Sequence, residues 1–396
     1  MTVPLPEARG LVCVEDVVAR TDVPPFTNSA MDGYAVRFAD TMGASTARPV
    51  LLRVVGAVAA GEPPSCAVEP GGAVRIMTGA VLPEGADAVV RFEETADLSG
   101  EQEPSGRVAL LRAAKHHDNV RLMGEDIAIG AVAIPAGSVL QAAHLGLLAS
   151  LGYVKVVVHR RPRVGILSTG NEVVAAVNQL AAGQIRDSNS VTLAALVEDA
   201  GGVPVHLGVV RDEIAPLRRS LQSAVEEHRV DLLITSGGVS VGDYDMVKDA
   251  LQAQGDVALW QVRIKPGKPM AFGMLNHVPL LGLPGNPVAA AVSFLQFGRP
   301  AIRRMLGYAE IVLPRVIATL VADIDNRGSR RHYVRFRLEV DVTGGYRAVP
   351  VGEQGAGILS SLALADGLLV VPEEFVLARA GMRLPVELLH DRLPSA

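Results

Sequence analysis

Apolar residues recur at different spacings in successive stretches of the chain, and each spacing predicts a different kind of element. Val12, Val14, Val17 and Val18 suggest one short helix over Leu11 to Ala19. From Pro49 to about Leu122 short valine-rich runs (LLRVVGAVAAG, AVRIMTGAVLP, DAVVRFEE) alternate with Gly and Pro, which predicts a β-rich module. In VLQAAHLGLLASLG, a stripe of Leu140, Leu147, Leu148 and Leu151 predicts a helix that stops near Gly152.

A different regime opens at YVKVVVHRRPRVGILSTGNEV. Val164 to Leu167 reads as a buried strand ending in Ser168, Thr169 and Gly170. Helices are expected at Ser190 to Ala200, Ile214 to His228 and Met246 to Gln254, with strands at VPVHLGVV, DLLITSGG and PLLGL between or after them. Such alternation specifies a parallel α/β layer. Beyond Gly307 the pattern returns to strands such as HYVRFRLEV, a small β domain. The fold class expected is therefore multidomain α/β plus β.

Composition narrows the function. Of 396 residues, 49% are hydrophobic, 20% charged and only 4% aromatic, which suits parallel strands buried under helices. A net charge of −5 with no basic stripe argues against nucleic acid as a partner. Cys13 and Cys66 are the only cysteines, so a disulfide framework is excluded and a reducing, cytoplasmic setting is expected. MTVPLPEARG lacks the pattern of a signal peptide. Ile127 to Val154 carries no charged residue, but Pro135, several glycines, Gln141 and His144 break it, so no membrane span is expected.

In an open α/β sheet, ligands bind outside the carboxyl ends of the strands. Loops with suitable chemistry fall there: Ser168-Thr169-Gly170-Asn171-Glu172, then Thr235-Ser236-Gly237-Gly238-Val239-Ser240, and Leu283-Pro284-Gly285-Asn286-Pro287. Lys265-Pro266-Gly267-Lys268-Pro269 lies before a strand. Gly237 and Gly238 let backbone amides approach an anion, Ser236 and Ser240 add hydroxyls, and a helix start after Pro287 adds oriented amides. Lys265 and Lys268 supply positive charge. Each loop alone reads as an ordinary turn; together they point to a phosphate-bearing ligand. Neither a Walker A nor a G-x-G-x-x-G sequence occurs, so ordinary ATP and NAD folds are not supported.

Acids share this rim: Glu172, Asp187, Asp212, Asp243 and Asp245. Beside phosphates, carboxylates hold Mg²⁺ while leaving waters on it. Helix capping competes with that role. It suits Asp187 and Asp212, stands even with metal binding at Asp243 and Asp245, and suits Glu172 least.

The segments PPFTNSAMDGYAVR, RIMTGAVLPEGADAVV, RPRVGILSTGNEV, GQIRDSN, TSGGVSVGDYD, IKPGKP and LPGNPVA occur in this order. Together they resemble the molybdopterin molybdenumtransferase family, called MoeA in bacteria and related to the E domain of gephyrin. The resemblance implies an elongated homodimer of four-domain chains: a linker domain at 1–24 and 121–157, a β-rich module at 25–120, an α/β molybdopterin-binding domain at 158–308 like that of MogA, and a C-terminal β domain at 309–396. It implies insertion of molybdate into adenylated molybdopterin with release of AMP, with Mg²⁺, in an active site shared between subunits. Matched to the family motifs, Asp32, Thr78, Glu172, Asp212, Asp245, Lys265 and Arg335 would be catalytic, with Glu172 and Asp245 on the metal. Thr169, Gly170, Ser236, Gly237, Gly238, Ser240, Lys268, Pro284, Gly285 and Asn286 would bind the cofactor precursor. Asp32 would act across the dimer cleft. The adenylyltransferase and apo-molybdoenzymes are the partner proteins so implied. The chain departs from relatives at Gln261, where some carry lysine, and at Ala356, where serine occurs; both bear on oxyanion affinity rather than fold.

Two rival functions fit parts of the sequence. Adenylyl transfer to molybdopterin needs only the α/β domain and leaves Asp32 and Thr78 without a role. A scaffold or carrier would call for a long linker or added domain, which the sequence lacks.

Overall fold

In the computed structural model, residues 1–97, 106–238, 257–342 and 344–390 are described. The chain forms two compact units, Met1–Val158 and His159–Ala396. No helix among the described residues is long and apolar enough to cross a membrane.

The first unit is built around a six-stranded sheet. Its strands are β1 (Gly33–Val36), β2 (Val50–Val58), β3 (Gly72–Ile76), β4 (Ala88–Arg91), β5 (Thr95–Asp97) and β6 (Arg107–Leu110), in the spatial order β4-β1-β3-β2-β6-β5. Alternating residues feed two cores: Tyr34 and Val36 pack with Leu52 and Val90, while Ala35 packs with Val74 and Val89. A further core gathers Leu11, Cys13, Ile134 and Leu140 with Leu148 of helix α1 (Ala142–Ser150).

No helix forms over residues 11–19. Val12 and Cys13 bridge to Val139 and Val158, and Val17–Val18 pairs with Val132–Ile134. Valine is stiff at χ1 and packs well on pleated backbone, and Val14 stays exposed, so the helical stripe has no face to bury.

The second unit begins with the α/β layer. It contains β7 (Arg163–Thr169), α2 (Asn189–Ala200), β8 (Val203–Val210), α3 (Ile214–Glu226), β9 (Leu232–Ser236) and β10 (Val257–Gln261). After β11 (Ile264–Lys265) come β12 (Pro269–Leu275), β13 (Val278–Leu283) and α4 (Pro287–Ser293). Strand order is β8-β7-β9-β13-β12-β10; the first four strands are parallel and the last two antiparallel. Antiparallel pairing enters through Asn276 and His277, both at positive φ (47° and 69°), as a two-residue hairpin of this twist requires. Leu232 and Ile234 pack under α2 and α4 while Leu233 packs under α3, so both faces are covered. The predicted helix over 246–254 lies outside the described residues.

Helix α4 continues through a π-turn at Phe294–Gly298 into α5 (Arg299–Met305). A barrel follows, made of β14 (Arg315–Leu320), β15 (Arg331–Val340), β16 (Tyr346–Pro350), β17 (Gly367–Val371) and β18 (Arg383–Leu388), with α6 (Leu359–Ala363) outside the strands. Pairing of β15 with β17 closes the ring, and β11 adds to β15. Tyr333, Leu368 and Val370 of the barrel pack against Val288 and Val292 of α4.

Candidate active site

Strands β7, β9 and β13 end level: Ser168 pairs in register with Ser236, and Ser236 with Leu283. Loops leaving these ends line a cavity of about 500 Å³. Ten of the predicted residues converge there: Thr169, Gly170, Glu172, Asp212, Ser236, Gly237, Gly238, Pro284, Gly285 and Asn286. Ser240 and Asp245, with Asp243, lie outside the described residues.

Glycine is required at position 237. Its φ is +92°, and a Cβ would stand 2.6 Å from the Thr169 carbonyl oxygen. Not every amide expected to face a ligand is available. The Gly237 N–H donates to the Leu283 carbonyl at 3.0 Å, and the Val288 N–H of α4 donates to the Ala356 carbonyl at 3.0 Å. The anion-binding capacity of these loops therefore rests more on side chains than the motifs suggest.

Three carboxylates line the cavity: Glu172, Asp187 and Asp212. Glu172 is exposed and occupies space that Gly170 leaves open, since a Cβ there would meet its carboxylate oxygens at 2.9 and 3.0 Å. Asp212 is half-buried. Burial raises its carboxyl above the usual carboxylate range, the Asn171 backbone N–H opposes this, and the Glu172 charge adds to it. Asp212 does not cap α3, whose first residue is Ile214. Among the described residues no three His, Cys, Asp or Glu side chains cluster as a complete metal site. A pair of carboxylates beside hydroxyls still fits Mg²⁺, which takes one or two carboxylates and fills its sphere with waters and phosphate oxygens.

Two further cavity residues stand out: Asp187, which the sequence reading placed on the rim but assigned to helix capping, and Asn189, which it did not name as a ligand-site group. Asp187, buried, accepts from Ser168 Oγ and from the Ser190 N–H, both at 3.0 Å, so it caps α2 as expected and also ties it to β7. Asn189 Nδ2 donates to Ser236 Oγ at 2.6 Å and to the Gly285 carbonyl at 2.7 Å. The signal was present in IRDSN, but an asparagine at a helix start reads first as a cap.

The predicted cations stand apart from the lining. Lys265 is half-buried and pairs in register with His332 of β15; Lys268 is exposed, and Pro269 of the same loop reaches the cavity. Arg335 is fully buried. Its Nη2 donates to the Glu353 and Gly355 carbonyls at 3.3 and 3.0 Å and its Nε to Ser361 Oγ at 3.1 Å, while Nη1 has no partner among the described residues. Burial pushes the guanidinium down to about 10. Arg335 thus braces the 353–355 loop, whose neighbour Ala356 caps α4. Of the two departures, Gln261 is exposed, and Ala356 presents its backbone carbonyl to the Val288 N–H.

Asp32 and Thr78 belong to the first unit and meet there. Strands β1 and β3 are antiparallel with Gly33 opposite Ile76, so the residue before β1 faces the turn after β3. The Thr78 N–H and Oγ1 both donate to Asp32 Oδ1, at 2.6 and 2.8 Å. These bonds hold the Asp32 carboxyl below its usual range, the backbone one contributing most. Asp32 is exposed.

Family profiles match the chain in order: "MoeA N-terminal region (domain I and II)" over residues 1–152, "Probable molybdopterin binding domain" over 165–304, and "MoeA C-terminal region (domain IV)" over 318–389. Molybdopterin molybdenumtransferase 2 of Mycobacterium tuberculosis (strain H37Rv) is 40% identical over 392 residues, 98% of this chain and 94% of the relative. Molybdopterin molybdenumtransferase of Haemophilus influenzae is 37% identical over 97% of this chain and 92% of its own. The crystal structure of a molybdopterin biosynthesis MoeA protein from Pyrococcus horikosii superposes with a TM-score of 0.84 at 33% identity, covering 99% and 95% of the two chains.

Proposed function

The chain belongs to the MoeA family, and from that premise we propose that it inserts molybdate into adenylated molybdopterin and releases AMP. The convergence of Glu172, Asp212, Ser236 and the glycine loops on one cavity at the strand ends carries this reading. The hydroxyl of Ser236 and the glycine loops would seat the phosphoanhydride. Glu172 and Asp212, with Asp245, would hold Mg²⁺, which when bound neutralises phosphate charge and polarises the anhydride. Lys265 and Lys268 would draw oxyanions toward the cavity, while Arg335, fully buried, would act by bracing the 353–355 loop. Asp32, braced by Thr78, would be supplied by a second copy of the chain in a cytoplasmic homodimer.

AMP release from adenylated molybdopterin by the purified chain, measured with and without molybdate and Mg²⁺, tests the proposal. Release that depends on molybdate and yields a product able to activate an apo-molybdoenzyme is expected. Adenylyl transfer instead, with ATP consumed, would overturn it, as would tight binding without AMP release.

A further inference from the structure

Ser236 is 2% exposed, yet it lines the cavity at the end of β9. Its usefulness to an anion depends on the direction of one proton. A backbone carbonyl can only accept, so the atom of Asn189 facing the Gly285 carbonyl at 2.7 Å must be the amide nitrogen. The same nitrogen lies 2.6 Å from Ser236 Oγ, which must then accept its second proton. The Ser236 hydroxyl hydrogen is left to point elsewhere, and it makes no hydrogen bond within the described residues.

We propose that Asn189 is a positioning residue that fixes the Ser236 hydroxyl as a donor toward bound phosphate oxygen and pins the Gly285 loop beside it. One amide group thereby ties the entrance of α2 to two loops from different strands. Asparagine suits the task because its two N–H bonds diverge toward two acceptors. Aspartate, of the same shape, offers oxygen to both: ionised, it would repel the Gly285 carbonyl and capture the Ser236 proton that the ligand needs. The inference rests on reading this cavity as the binding site of adenylated molybdopterin.

Asn189→Asp, Asn189→Ala, Ser236→Ala and the Asn189→Ala/Ser236→Ala double variant of the full chain test it, by calorimetric titration with adenylated molybdopterin in the absence of molybdate. Thermal unfolding of each variant is followed in parallel. Both Asn189 variants are expected to bind at least about tenfold more weakly than the native chain at neutral pH. The Asn189→Asp loss should shrink on acidification, because a protonated carboxyl regains a donor, whereas the Asn189→Ala loss should not. A merely structural role would not give this difference. The double variant should lose less than the sum of its single losses, since Asn189 acts through Ser236. Native-like affinity in folded Asn189→Asp at neutral pH, or fully additive losses, would overturn the proposal. Failure of the native chain to bind is a separate outcome that overturns the reading of the cavity itself, and with it the role given to Asn189.

Discussion

Asp32 shows how a single exposed carboxylate acquires a defined state. With the Thr78 N–H and hydroxyl on one oxygen, it stays ionised to lower pH than a free aspartate, and its second oxygen remains open for chemistry. Because the group is exposed, Asp32→Ala should leave the unfolding midpoint in urea close to that of the native chain while reducing molybdate-dependent AMP release by about a hundredfold or more. Urea unfolding and steady-state turnover check the two halves; full turnover would remove Asp32 from the mechanism. His332 is the opposite case. It is 4% exposed, neither ring nitrogen has a partner among the described residues, and burial pushes it down to about 4. Lys265, Arg335 and Arg330 reinforce that direction and Asp325 opposes it. An unfolded histidine titrates near 6.5, so between about pH 6.5 and 4 only the unfolded chain gains the proton. The contribution of His332 to stability should fall across that window by about 3 kcal/mol and be flat above it. His332→Phe should lessen that slope, read as the difference between unfolding free energies at pH 7.5 and 4.5 in variant and native chains.

Glycines at strand junctions are where sequence and geometry agree most closely. Gly33 follows Asp32 in the strand between β3 and β4, and a Cβ there would fall 2.0 Å from the Val90 carbonyl oxygen. Gly33→Ala should therefore destabilise the first unit by about 2 kcal/mol or more and displace Asp32 from Thr78. Loss of turnover larger than the loss of stability explains, measured on the folded fraction, is the expected result. The close approach at Gly33 was not read from the sequence; what is legible is a glycine among chemistry-bearing residues at a strand end of an α/β layer, where backbone can approach a ligand. The loops after β7, β9 and β13 were legible for this reason. Other elements were not. The valines of residues 12–18 fit a helix or a strand equally in spacing, and only long-range pairing with residues 132–134 and 139 decides between them. Asn276-His277 gave no hairpin signal because the usual glycine is missing. The brace made by Arg335 joins β15 to carbonyls 18 and 20 residues away, which no local pattern encodes.

The chemistry proposed for this protein is divided between its two compact units, with the candidate cavity in residues 159–396 and the Asp32–Thr78 pair in residues 1–158. If the pair serves a second copy, damage to one unit can be repaired by the other only within a dimer. Asp32→Ala and Glu172→Gln give the sharpest test, since one variant lacks the donated carboxylate and the other spoils the receiving cavity. Each homodimer alone should be nearly inactive. Mixed by dissociation and reassembly, half of the dimers would be hybrids, and in each hybrid one of two sites would combine a native cavity with a native Asp32. Activity should then return to about a quarter of the native level. Recovery must rise with the hybrid fraction, measured by tagging one variant and isolating mixed dimers. If a hybrid is as inactive as its parents while native dimers survive the same reassembly, Asp32 acts within its own chain or not at all. A cavity that waits on a second copy would also make turnover fall faster than enzyme concentration on dilution, because the shared site is lost whenever the dimer dissociates.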